Sequence, residues 1–184
     1  MLGEPGDLSA FDAFVIGPGL GRSMDAEIRR IWAEEPRPGV FDADALRALD
    51  GTPSPPPRLL TPHAGAAAAR VKAEWRTLEA DRLATAARLG AIAPAVYKGA
   101  FPIVTGSPLT ILPGGHPQAG TAGSGDVLSG VCGAFLARHR PLDRAGVERC
   151  AIQAAWVHQR AAAAAGPPGI SARDIADAVP RVLA

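Results

Sequence analysis

The run Gly120-Thr121-Ala122-Gly123-Ser124-Gly125-Asp126 constrains this chain more than any other stretch. It leads directly into the apolar segment Val127–Leu136, which is long enough for a buried helix. A glycine-rich loop that becomes a helix leaves its first backbone N–H groups without intrahelical partners and aimed at one spot. The helix dipole adds positive potential there, so the spot suits an anion such as a phosphate. Glycines let a ligand approach the backbone closely. Asp126 is out of place by this logic, because a carboxylate is repelled by a neighbouring phosphate. Two readings of it stand: a first-turn acid favoured by the dipole, or a base that takes a proton from a hydroxyl attacking phosphorus.

The rest of the chain alternates extended and helical patterns. Phe11–Gly17 reads as a buried parallel strand, followed by the turn Gly17-Pro18-Gly19-Leu20-Gly21 and a helix capped by Ser23 that runs to about Glu34. A strand at 39–44, a helix at 45–49 and a strand at 58–61 follow, with Pro53–Pro57 as a stiff surface connection. Helix is expected from about Ala66 to Leu89, broken near Trp75, then a strand over 91–98 and a hairpin from 103–105 and 109–112. Helices close the chain at about 125–138, 143–164 and 172–183, the last opened by a capping box from Ser171 and Asp174. This alternation implies a layered α/β fold with a mostly parallel sheet. Ligands then bind beyond the carboxyl ends of the strands. The loops at 17–21, 42–44, 61–65, 98–102 and 120–126 all fall at that rim.

At 184 residues one domain is expected. A net charge of +1, with no block of like charge, argues against a nucleic-acid partner or a polybasic membrane surface. No apolar run is long enough for a transmembrane helix and Met1–Asp7 lacks the pattern of a signal peptide, so a cytoplasmic protein is expected. Cys132 and Cys150 lack CxxC spacing and read as buried free thiols.

The motifs VIGPGLG (15–21), FDADAL (41–46), LLTPHAG (59–65), YKG (97–99) and AGTAGSGDVLSG (119–130), with AAWVHQRAA (154–162), resemble in kind and order those of NAD(P)H-hydrate dehydratases of the ribokinase-like superfamily. The resemblance covers roughly residues 11–183. It implies a ribokinase-like three-layer α/β sandwich with a mostly parallel central sheet, and residues 1–184 as one dehydratase-like domain. It implies repair of hydrated nicotinamide cofactors. The ring hydroxyl of NADHX or NADPHX is phosphorylated from ADP or ATP, with Mg²⁺ expected, and phosphate is then eliminated to restore NADH or NADPH. Carried over by position, Asp126 is the catalytic base and contacts the hydrate, with Gly19, Gly21 and His63. Gly123, Ser124 and Gly125 form the anion hole. Lys98, Gly99, Ala100, Phe101, Pro102 and Gly125 line the adenine nucleotide. No resident metal ligand is implied. An NAD(P)H-hydrate epimerase is the implied functional partner.

The sequence departs from that pattern at three places. Ala66 stands where the family usually has Glu, and Pro102 where it usually has Thr. Family domains also begin well upstream of GPGLG, so the chain is expected to be N-terminally truncated relative to them. The edge and helix faces so exposed would favour a homo-oligomer. Structural readings compete with functional ones throughout. His63 as a loop hydrogen-bonder, His158 as packing in an Ala-rich helix, Asp42 and Asp44 as helix caps, Lys98 as a solvated lysine and the GPGLG run as a plain turn all remain open. The tryptophans read as core or interface anchors. Two rival functions remain as well: a ribokinase-like kinase for a vitamin precursor, and a nucleotide-binding module without turnover.

Overall fold

The structure, a computed structural model, describes residues 8–55, 57–71 and 80–184. Strands β1 (Phe14–Ile16), β2 (Gly39–Phe41) and β3 (Arg58–Leu60) form a parallel sheet in that order. Strand β4 (Val96–Tyr97) joins it through a parallel bridge between Leu60 and Ala95, and β5 (Ile103–Val104) and β6 (Thr110–Ile111) continue antiparallel from β4. The sheet is thus parallel from β1 to β4 and ends in the expected hairpin, whose turn contains a cis Ser107–Pro108 peptide.

Side-chain alternation along the strands builds the layers. Phe41, Leu60, Tyr97 and Ile103 face one core, packed against α1 (Asp25–Glu34), α2 (Ala43–Ala48), α3 (Ala64–Val71) and α4 (Arg82–Ile92). Their neighbours Val40, Leu59, Val96 and Val104 face the other, against α5 (Ser124–His139) and α6 (Arg144–Ala164). Strands apolar on both faces are what a sheet covered by helices on both sides requires. Helix α7 (Ala172–Leu183) packs its Ile175 and Ala178 onto Ala161 and Ala162 of α6 and opens with the expected Ser171–Asp174 capping box.

Several expectations need correction. β1 is an edge strand rather than a buried one, with Val15 41% and Phe11 61% exposed. Ser23 does not cap α1: the helix begins at Asp25 after Met24, and Asp25 and Glu27 supply first-turn charge instead. The fourth strand is only two residues long, because α4 runs to Ile92 and the chain extends only past Pro94. The break expected near Trp75 lies outside the described residues. Trp32 is a core residue, whereas Trp156 is 46% exposed.

Two buried polar side chains hold the layers in register. Arg58, fully buried, donates to the carbonyls of Ile31, Trp32 and Glu35 at the C-terminus of α1, and to those of Arg37 and Pro57. A cation satisfying the orphan carbonyls of a helix end is favoured by the dipole and by the guanidinium's fork of donors. Burial pulls its pKa down to about 10, which leaves it charged at neutral pH. On the other face, His158 of α6 meets the start of α5. Its Nε2 lies 3.0 Å from the Ser124 carbonyl and 3.1 Å from Ser124 Oγ. The carbonyl can only accept, so the neutral ring carries its proton on Nε2. Desolvation is the main cause that holds the imidazole pKa down to about 4, against an ordinary 6.5.

Arg58→Met removes the donor to the buried Trp32 carbonyl and to the part-buried carbonyls of Glu35 and Arg37, and costs about 3 kcal/mol in urea unfolding, with Arg58→Lys intermediate because it lacks the fork; a loss below about 1 kcal/mol for Arg58→Met would remove its capping role. His158 binds a proton in the unfolded chain at a pH where the folded chain refuses it. Stability is therefore complete above about pH 6.5 and falls as pH drops towards about 4, by up to about 3 kcal/mol. Unfolding measured across that range should show a shallower loss in His158→Gln, and an identical slope in both proteins would refute the assignment.

Candidate functional site

The five distinctive loops meet at the carboxyl ends of β1 to β4, and the hydrogen bonds that join them are specific. Gly123 adopts φ 82° as the N-cap of α5, a left-handed conformation suited to glycine. The Ser124 N–H turns back to the Thr121 carbonyl at 3.1 Å, and the Asp126 N–H to the Gly123 carbonyl at 3.0 Å. Among the described residues the amides of Gly123 and Gly125 have no hydrogen-bond partner. They are the donors left open at the helix N-terminus, so two of the three amides expected of an anion hole are available there.

Beneath that turn lies the buried carboxylate of Asp42, 2% exposed. Its Oδ1 accepts from the Ala43 N–H at 2.8 Å, making it the N-cap of α2. Lys98 Nζ donates to both of its oxygens, at 3.0 and 3.2 Å, and Ser129 Oγ donates to Oδ2 at 2.6 Å. Thr61 Oγ1, at the end of β3, lies 3.2 Å from Ser129 Oγ. The capping reading of Asp42 therefore holds, and the same carboxylate also ties β2, β4 and α5 together. Lys98 is not a free solvated lysine: it is ion-paired, and its ammonium abuts Gly125, where an added Cβ would come within 3.2 Å of Nζ. Asp44 does not cap α2. It accepts from the Gly21 N–H at 2.8 Å, and Arg47 donates to the Gly21 carbonyl at 2.9 Å, so the GPGLG turn is anchored at its far end.

A cavity of about 640 Å³ opens beside this turn. His63, Lys98, Gly99, Ala100, Pro102, Ser124 and Gly125 line it, together with His158, for which the sequence left packing and a site role both open, and with His116 and Gln159, which it did not single out. Phe101 is 57% exposed and does not line the cavity, and neither do Gly19, Gly21, Gly123 or Asp126. Asp126 is exposed on the same helical turn, one residue beyond the cavity wall. Gly19 and Gly21 have positive φ and face open space. His63 is a loop hydrogen-bonder, since its Nδ1 accepts from the Gly65 N–H at 3.1 Å, and it also lines the cavity. Arg82 donates to the carbonyls of Lys98 and Phe101 and so shapes the 98–102 loop, a role with no signal in the sequence.

The two departures from the family pattern have structural places. Ala66 packs against the core below α3, while its neighbour Ala64 lines the cavity. Pro102 lines the cavity, and its carbonyl accepts from the Leu112 N–H at 2.9 Å. Both cysteines are free and buried, and desolvation pushes the Cys132 thiol up to about 12. Among the described residues no helix is long and apolar enough to cross a membrane.

Comparison with known proteins meets this geometry. The sequence profile of the NAD(P)H-hydrate dehydratase family matches residues 5–181. The ADP-dependent (S)-NAD(P)H-hydrate dehydratase of Xanthomonas campestris pv. campestris is 35% identical over 96% of this chain and 63% of its own length. The bifunctional NAD(P)H-hydrate repair enzyme of Thermanaerovibrio acidaminovorans is 35% identical over 92% of this chain, which spans 34% of that relative. A crystal structure of the ADP/ATP-dependent NAD(P)H-hydrate dehydratase of Bacillus subtilis superposes with a TM-score of 0.80 at 23% identity, covering 94% of this chain and 65% of that one. The chain thus spans about a third of the bifunctional relative and less than two thirds of the dehydratase from Xanthomonas. Its fold is ribokinase-like. A glycine-capped helix start, a neighbouring cavity and a profile match over nearly the whole length agree: this chain belongs to the NAD(P)H-hydrate dehydratase family.

Proposed function

We propose that this chain carries the phosphoryl-transfer site of a nucleotide-dependent NAD(P)H-hydrate dehydratase. The observation that carries the reading is the start of α5, where two open backbone donors flank the cavity and a carboxylate follows on the same turn. An adenine nucleotide occupies the cavity along Lys98–Pro102, with its terminal phosphate at the amides of Gly123 and Gly125. The helix dipole and the adjacent Lys98 ammonium favour that placement. The hydrate lies on the open side, against Gly19, Gly21 and His63, with its ring hydroxyl near Asp126.

Asp126 takes the proton of that hydroxyl as its oxygen attacks the terminal phosphorus. The new O–P bond forms as the phosphoanhydride bond breaks, releasing AMP from ADP, or ADP from ATP. Inorganic phosphate then departs from the ring carbon with its C–O electron pair. A proton leaves the adjacent carbon, and the double bond of the reduced nicotinamide returns. Phosphorylation is needed because hydroxide is a poor leaving group and phosphate a good one. The protein's part is in-line positioning and charge stabilisation.

Mg²⁺ is the expected companion of the nucleotide, and it would neutralise phosphate charge. No group of three His, Cys, Asp or Glu side chains among the described residues could hold a metal ion. Mg²⁺ bound with nucleotide keeps most of its ligands from phosphate and water and needs only one or two carboxylates. Asp42 is engaged by Lys98 and Ser129 and Asp126 is the base, so phosphate and water would hold the ion in the main. Family membership favours this reading over a vitamin-precursor kinase, which would leave its phosphorylated product intact. The names of the bifunctional relatives support a partnership with an epimerase acting on the same hydrates. The edge at β1, with Val15 and Phe11 exposed, supports self-association.

Purified chain incubated with NADHX, Mg²⁺ and ADP or ATP should recover the absorbance of reduced nicotinamide. Asp126→Asn should lower kcat by about 10²–10⁴-fold. Phosphorylated hydrate accumulating without elimination would instead make this a kinase. Nucleotide binding without turnover, unaffected by the substitution, would make it a binding module.

A further inference from the structure

The residues Asp42-Ala43-Asp44 lie outside the set that contacts substrate or nucleotide in the proposed reaction, yet each carboxylate reaches a different half of the site. Asp42 turns inward. Its oxygens receive Ser129 Oγ from the second turn of α5 and Nζ of Lys98, the residue beside Gly125. Asp44 turns outward and receives the Gly21 N–H, at the last glycine of the GPGLG turn. At the near end of that turn the Asp42 N–H donates to the Ile16 carbonyl at 3.1 Å. Gly17, at φ 132°, leaves no room for a Cβ against the Asp42 carbonyl. Two adjacent loops are therefore fixed by a single tripeptide.

The backbone between the two carboxylates is unusual. Ala43, a non-glycine residue, has φ 46°, in the left-handed region. That conformation is disfavoured for an L-residue with a side chain, and it persists only where surrounding contacts hold it. Here the contact is the Asp42 carboxylate accepting the Ala43 N–H. A cap alone needs neither the left-handed Ala43 nor the second carboxylate.

We propose that Asp42 and Asp44 are positioning residues that set the two halves of the site separately: Asp42, through Ser129 and Lys98, the phosphate-binding turn, and Asp44 the GPGLG turn on which the hydrate rests. The proposal rests on the functional reading above, because it assigns the hydrate and the nucleotide to different loops.

Steady-state kinetics with each substrate varied in turn tests it. Asp44→Ala removes the acceptor for Gly21 and should raise the KM for NADHX about tenfold, with the nucleotide KM within about twofold of wild type. Asp44→Asn keeps a side-chain carbonyl as acceptor and should recover most of that loss. Ser129→Ala cuts the link to α5 while leaving the Asp42–Lys98 pair in place. It should raise the nucleotide KM or lower kcat and leave the hydrate KM alone. Asp42→Asn should act in the same direction and more strongly, provided that thermal melting shows it folded; Ser129→Ala carries this arm if it is not. An active wild type whose variants shift both KM values together, or whose Asp44→Asn variant shows no recovery, overturns the proposal and leaves the dehydratase reading standing. A wild type that turns over no hydrate with either nucleotide overturns both.

Discussion

A buried carboxylate is costly unless it is paired and hydrogen-bonded, and much of this site follows from how Asp42 meets that requirement. Three groups converge on it: the Ala43 amide, the Ser129 hydroxyl and the Lys98 ammonium against both oxygens. Each arrives from a different element, so satisfying one charge fixes the end of β2, the end of β4 and the first turns of α5 relative to one another. Removing one partner of such a pair leaves an uncompensated charge, typically a loss of about 3–5 kcal/mol. The arrangement is thus strongly specified even though a buried ion pair is weak evidence of net stability.

The start of α5 is held from its other side by a neutral group. His158 is held uncharged by desolvation and meets Ser124 without adding positive charge to the turn. Lys98 has its charge largely compensated by Asp42. The positive potential at the start of α5 therefore comes chiefly from the helix dipole and the open amides of Gly123 and Gly125. Asp126 escapes this neutralisation because it lies on the exposed side of the turn.

How much of this was legible in the sequence depends on the range of the interaction involved. The layered α/β architecture, the hairpin, the capping box at Ser171 and the convergence of five loops at one rim follow from local periodicity and turn chemistry, and all are present. The site's supporting contacts are not local. Ser129 and Asp42 are 87 residues apart, and His158 and Ser124 are 34 apart. A histidine in an Ala-rich helix and an acid after a strand look alike whether or not such partners exist. Arg58 gave no warning either, since an arginine at the start of a strand is ordinarily exposed and here closes the end of α1. The failure at Ser23 has a similar cause. Asp25 is held by Arg47 at 2.8 Å, so a tertiary ion pair, and not the nearest hydroxyl, sets where α1 begins.

The two departures from the family pattern sharpen the division of labour within the site. Ala66 spends its methyl on the core, and Pro102 offers the cavity a ring without an N–H donor. The stretches 64–66 and 98–102 are therefore poorer in polar side-chain groups than the motif order suggests. Beside the Lys98 ammonium, what remains there is backbone: the amides of Gly123 and Gly125, and the carbonyls of Lys98 and Phe101 that Arg82 holds in place. Backbone donors recognise a phosphate without regard to the rest of the nucleotide. On another part of the cavity wall the His116 N–H donates to Gln159 Oε1 at 3.1 Å, between the 115–117 loop and α6. The cavity is thus bounded by an open backbone donor of Gly125 at the start of α5 and by the link that joins the 115–117 loop to α6.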